Sequence, residues 1–251
     1  MIGDYQVRML GAEGGVVRYD AVHVVLPRCA IIELLEPTAP HEAAIALMRR
    51  ACILEALRHP GVPRIFECGR LGSQPWIAFE RIDGIALDVM VRERRLDVGE
   101  LLDLVEHVAT ILSHAHERGV LHGDIAMRTI VLGSTVVVTG WENARAHDAV
   151  ALTSRHRYAG DVLALGKLAL DALAAPTTVP IELAALLPKM LADDPSARPT
   201  AAEVAATVHA IPRPPMKTGL PAAVAAAIEE LSHEDDEVVI EYVLDDERLA
   251  V

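Results

Sequence analysis

The apolar residues of this chain change their period along it, and that change limits the folds open to it. Residues 5 to 35 alternate apolar and polar positions, with glycines at 11, 14 and 15. The stretch "VVRYDAVHVVLPRCAIIELL" reads as two or three strands joined by turns. Residues 41 to 58 instead carry Ile45, Met48, Cys52, Leu54 and Leu57 at helical spacing, and "HPG" ends that helix. "RIFECGRLGSQPWIAFERI" returns to β-type runs around a Gly-Ser-Gln-Pro turn. From residue 97 the helical period takes over. "DVGELLDLVEHVATILSHAHERG" is a long amphipathic helix closed by Gly119. Short β runs follow at 130 to 132 and 136 to 138. Helices are expected at 160 to 174, 180 to 192 and 200 to 210, with Pro180 and Thr200 at their starts. This is an α+β arrangement: a small β-rich lobe over 1–82, a larger helical lobe over 83–211, and a cleft at their boundary.

A Pro-rich linker, 212–221, and a tail, 222–251, follow. The tail holds most of the charge. Between 229 and 251 lie ten acids and one base, so −9 of the net charge of −13 sits there and −4 before it. An acidic chain lacks the basic face that phosphate neutralisation needs, so no nucleic-acid partner is expected. No apolar run reaches the roughly 18 residues of a membrane span, and no basic-then-apolar leader opens the chain. A cytoplasmic protein is expected. Aromatics are only 3% of residues, so Leu, Val, Ile and Ala must build the core. Cys29, Cys52 and Cys68 show no C-x-x-C spacing and read as buried apolar residues in a reducing compartment. His107, His114 and His116 read as solvated, because i, i+2 residues do not share a helix face. Trp76 reads as packing.

The segment "VLHGDIAMRTIVL", 120 to 132, poses the chemical question. A His, an Asp two residues on and an apolar run describe a phosphotransfer catalytic loop, but an Asn is expected five residues after the Asp. Other stretches in order are "LGAEGGVVRYDA", "CAII", "RRACILEALRHPGV", "WIAFERIDGIAL", "HERGVLHGDI", "VVVTGWENA", "AGDVLALG" and "LADDPSARPT". Together, from Tyr5 to Ile211, they resemble the protein kinase family in its bacterial Ser/Thr form.

The resemblance implies a bilobal kinase-like fold whose chemistry is degraded. The Lys that grips the nucleotide phosphates should be fourth in "CAII" and is Ile32; shifting the alignment by one residue gives Glu33, which is worse. No lysine precedes Lys167. The Glu that would orient it is Arg50, so both members of an ion pair look lost together. The metal-binding Asn is Thr129 and the D-F-G Asp is Gly140, leaving Glu142 and Asn143 as the nearby oxygen donors. The Gly-rich loop keeps Gly11 but has Glu13 and Val16 where glycines would let backbone N–H groups approach phosphate. Asp124 remains at the catalytic-base position. Gly11, Glu13, Ala30, Phe79 and Val131 would line a vestigial cleft, with Phe79 at the gatekeeper position narrowing its back.

The residues that would hold the fold are kept: Leu54, Ile65, His122, Trp141, Asp161 and Arg198. Asp161 should be buried, with backbone N–H groups near His122 and Gly123 on its carboxylate. Arg198 has no A-P-E partner, and Asp148 is a candidate. The segment between Trp141 and Ala159 is short for a peptide-substrate platform. No metal and no cofactor are expected. The reading is a pseudokinase acting as a regulator or scaffold by binding another protein. The tail, through "VVIEYVL", would be the partner's contact, and self-association is open. Binding of a nucleotide or small molecule in the old cleft is the alternative, and residual Ser/Thr kinase activity the third.

Overall fold

The structure, a computed structural model, describes residues 1–146, 157–173 and 179–213. Residues 1–214 form one compact unit. Its first part is an antiparallel sheet. Strands β1 (Tyr5–Glu13), β2 (Val16–His23) and β3 (Cys29–Leu35) precede helix α1 (His41–Leu57), and β4 (Ile65–Leu71) and β5 (Gln74–Glu80) form a hairpin after it. The five strands lie in the order β1-β2-β3-β5-β4. Glu13 pairs directly with Val16, so Gly14 and Gly15 turn the chain alone. Both have positive φ, +59° and +79°, as a tight hairpin turn of this hand requires. The other expected turn is shorter than the sequence suggested, because Gln74 and Pro75 already belong to β5.

Beyond the sheet come β6 (Ile85–Ala86), α2 (Leu87–Glu93), α3 (Val98–Glu117), β7 (Val120–Leu121), β8 (Ile130–Leu132), β9 (Val136–Val138), β10 (Arg145–Ala146), α4 (Ala159–Ala172), α5 (Ile181–Met190) and α6 (Ala201–His209). Helix α2 has no counterpart in the sequence reading, since seven residues are too few to establish a helical period. It is held by burial of Leu87 and Met90. Asp97 and Glu100 form a reciprocal cap at the start of α3, and Thr200 and Glu203 do so for α6. Proline 180 caps α5 without a side-chain bond.

One apolar core runs from α1 through α3 and α4 to α6, taking in Leu54, Leu101, Val105, Trp141, Leu165 and Val204. The β-rich and helical lobes therefore share a core along the cleft. A smaller core covers the outer face of the sheet: Ile2, Tyr5, Ala21, Ala30, Ile32, Leu34, Trp76 and Ala78. The three cysteines are free and none is fully buried; Cys52 and Cys68 are exposed, which corrects the expectation of buried thiols. Among the described residues no helix is long and apolar enough to cross a membrane. The tail, 222–251, and most of the linker lie outside the described residues.

Candidate functional site

Strand alternation decides which β3 side chain meets α1. Ala30 and Ile32 point to the outer face and are fully buried there. Glu33 points the other way, is buried, and forms an ion pair with Arg50 of α1, itself buried. The assignment of Ile32 to the phosphate-gripping position is thus corrected by one residue, to Glu33, and Ala30 leaves the cleft with it. The physical cause is the two-residue period of a strand, in which a one-residue slip carries every side chain to the opposite face. The ion pair expected to be lost is present with its charges exchanged, the acid on the strand and the base on the helix.

Two more charges join it. Arg18 on β2 lies opposite Glu33 in the strand register and donates from Nε to Glu33 Oε1 at 3.1 Å. Glu142, in the single turn that follows Gly140, accepts at Oε1 from Arg50 Nη1 at 2.9 Å and from Arg18 Nη2 at 3.4 Å. Two arginines and two glutamates therefore close a neutral ring across the lobe boundary. Arg50 Cζ also lies 4.8 Å from the centre of the Phe79 ring, so the gatekeeper-position side chain backs the guanidinium. Burial acts to lower the Arg18 pKa, but Glu33, its hydrogen bond, Glu142 and Glu13 outweigh it and raise the value.

The loop from 120 to 143 is built around His122 and Asp161. Asp161 is 1% exposed. Its carboxylate accepts from the N–H of His122 and of Gly123, and from His116 Nε2, each at 2.9 Å. Burial pushes the carboxyl up, but the His116 hydrogen bond and charge and the two backbone donors hold it below the usual carboxylate range. His122 is buried, gives Nε2–H to the Thr139 carbonyl at 2.9 Å and accepts the Asp124 N–H at Nδ1. Its ring meets the Trp141 indole edge-on at 4.5 Å. Burial holds its pKa below the ordinary histidine range, against the opposing charge of Asp161. Trp141 gives its indole N–H to the Val138 carbonyl at 2.7 Å. Leu54 shares this core and Ile65 packs against it.

Asp124 is half-buried, and Arg128 holds both of its oxygens, at 2.6 and 2.7 Å. Thr129 is buried; its hydroxyl accepts the Ala126 N–H at 3.1 Å and donates to the Ala126 carbonyl at 2.8 Å. That hydroxyl closes its own turn. Gly140 has φ +79°, and a Cβ there would overlap the Thr129 methyl. An aspartate at 140 would meet both backbone strain and a clash.

Gly11 and Glu13 are exposed on the β1–β2 hairpin, and Val131 is half-buried on β8. The Glu80 N–H donates to the Arg64 carbonyl and the Arg81 N–H to the Cys29 carbonyl, so both are engaged within the sheet. Arg198 donates to the carbonyls of Ala192, Ala159 and Asp193; Asp148 and the short segment around it lie outside the described residues. His116 stacks on Tyr158, and His114 bonds the Leu57 carbonyl and packs on His59. The expectation of three solvated histidines therefore holds only for His107. The other two reach different neighbours from different faces of α3.

Sequence reasoning missed Arg18 and dismissed Glu33. A signal existed. Glu33 is the one charge in "CAIIELL", and Arg50 interrupts the buried stripe of Leu47, Ile53, Leu54 and Leu57. Lone opposite charges on two buried faces imply each other.

A sequence profile of the family described as protein tyrosine and serine/threonine kinase matches residues 18–141. Serine/threonine-protein kinase PknI of Mycobacterium tuberculosis is 33% identical over 133 residues, 51% of this chain and 23% of that protein. Serine/threonine-protein kinase PknJ of the same organism is 28% identical over 165 residues, 62% of this chain and 27% of that protein. The chain thus spans about a quarter of the length of these relatives. The crystal structure of the PknI kinase domain in a double-mutant form aligns with a TM-score of 0.63 at 26% identity, covering 82% of this chain and 95% of that domain. A single-mutant form aligns with a TM-score of 0.61 at 25% identity, covering 82% and 94%.

Proposed function

The chain belongs to the protein kinase-like superfamily, in its bacterial Ser/Thr form, and from that premise we propose that it is a pseudokinase, a cytoplasmic regulator or scaffold that works by binding another protein. A fold hosts many functions, so the reading rests on the site. The observation that carries it is the exchanged pair, Glu33 on the strand and Arg50 on the helix.

Phosphoryl transfer on this fold relies on a cation at the phosphates, metal ions held by two side chains, and a Gly-rich loop over them. Here a carboxylate stands at the strand position and repels phosphate. The two guanidinium groups nearby, Arg18 and Arg50, are neutralised by Glu33 and Glu142. Glu142 is engaged by both arginines, Thr129 by its own turn, and Gly140 has no side chain to offer a metal. Asp124 faces Arg128. A base with neither metal nor phosphate grip has nothing to act on. Charge-assisted bonds contribute roughly 1.5–3 kcal/mol each, and every ~1.4 kcal/mol is a decade of affinity. Losing two or three leaves ATP several decades weaker.

The test has two arms. Calorimetry should find no Mg²⁺-dependent ATP binding in the micromolar range, and labelled ATP should give no phosphoryl transfer; either activity would overturn the reading. Deleting 222–251 should leave the compact unit folded by circular dichroism but remove the protein partner from pull-downs. Equal recovery with and without the tail would count against the tail as the contact.

A further inference from the structure

Resting on the pseudokinase reading, the geometry points to a second role for the cleft: Arg18 and Arg50 form a site for a single carboxylate, occupied in the free protein by Glu142 and open to exchange with an acidic side chain of a protein partner.

The arginine pair is built without help from Glu142. Glu33 bridges both guanidinium groups, one oxygen to each. Arg50 is further backed by the Phe79 ring, and its side chain is 9% exposed. Glu142 is the peripheral member, with a side chain 46% exposed. Removing it would leave two positioned cations bridged by Glu33, a charge of +1 on these three side chains, with Glu13 the weakest of the acids acting on Arg18.

The charge count selects the ligand class. A carboxylate brings one negative charge and matches the +1 site. A phosphate dianion or a triphosphate overshoots it, with Glu13 adding repulsion next to Arg18. Planar carboxylates also suit guanidinium forks. The site therefore favours an acidic side chain over a nucleotide, which accords with a protein-binding role.

Chemical rescue tests this on the full chain. Glu142→Ala empties the site, and thermal melts are recorded in sodium acetate and in sodium chloride at equal ionic strength. Acetate should raise the Tm of Glu142→Ala by about 2 °C or more over chloride, the size that a ligand at several times its Kd produces in a domain like this. The increment should be smaller in the unaltered protein, where Glu142 competes, and absent in Glu142→Ala/Arg18→Gln. A short glutamate-containing peptide should act as acetate does, and acetamide and phosphate should not. An acetate increment equal in all three proteins, or a larger one from phosphate, would overturn the proposal. Should Glu142→Ala not fold, Glu142→Ser, which also removes the carboxylate and leaves its space open, carries the same comparison. Failure of the pseudokinase reading would register separately, as Mg²⁺-dependent ATP binding by the unaltered protein.

Discussion

Asp161 carries more of the loop than its single charge suggests, because three donors converge on it: the backbone of His122, the backbone of Gly123 and the His116 ring. Removing the carboxylate strands buried donors, each at about 1–3 kcal/mol. We expect Asp161→Ala to lower the Tm clearly in a thermal melt, and an unchanged melt would contradict the geometry of this loop. At the same scale, Gly140 and Thr129 fit each other. The glycine holds a positive φ that other residues avoid, and the Thr129 methyl fills the space a Cβ would need.

At the scale of elements, β3 and α1 are joined by the exchanged ion pair, and α1 is joined to the turn at 141–143 through Glu142. Breaking a buried pair from one side costs about 3–5 kcal/mol, since the other charge stays behind unpaired. Glu33→Lys gathers three cations at one point, and Arg50→Glu gathers three anions. Each should destabilise by that amount in urea denaturation. The double variant restores opposite charges across the pair and should recover part of the loss. Recovery should be incomplete, because Glu142 would then face a carboxylate and Arg18 an ammonium. Additive losses in the double variant would mean that the two side chains do not interact.

For the whole molecule, the shared core explains how a chain with few aromatics holds two lobes together: aliphatic side chains from α1, α3, α4 and α6 form one continuous cluster around Trp141. Its stability should depend on pH in a stated direction. The folded pKa of His122 lies below the ordinary value of about 6.5 because of burial. The unfolded chain therefore takes up that proton first as pH falls, so stability is full above about pH 6.5 and declines below it. His59, also held down by burial, acts in the same sense. Asp161, depressed below the usual carboxylate value, adds a second loss below about pH 4. Urea midpoints measured from pH 8 to 3 should descend in these two windows, and a flat profile would be inconsistent with a buried neutral His122.

Period and order were enough to read the α+β architecture from the amino acids alone, because amphipathic spacing is a local property. So were the helix starts at Asp97 and Thr200, where a capping side chain and its partner lie three residues apart. The anchoring role of Asp161 was also legible, since it follows from order along the chain. Which face of β3 looks into the cleft was not. Ile32 and Glu33 are adjacent, and only pairing with β2 and β5 and the packing of α1 decides which one turns inward. The same holds for Arg18 and Glu142, separated by 124 residues and brought together by the closure of two lobes. Tertiary structure alone reveals that a ring of opposite charges, Arg18, Glu33, Arg50 and Glu142, lies across the lobe boundary, because a balance of charge in space has no signature at any fixed spacing in the sequence.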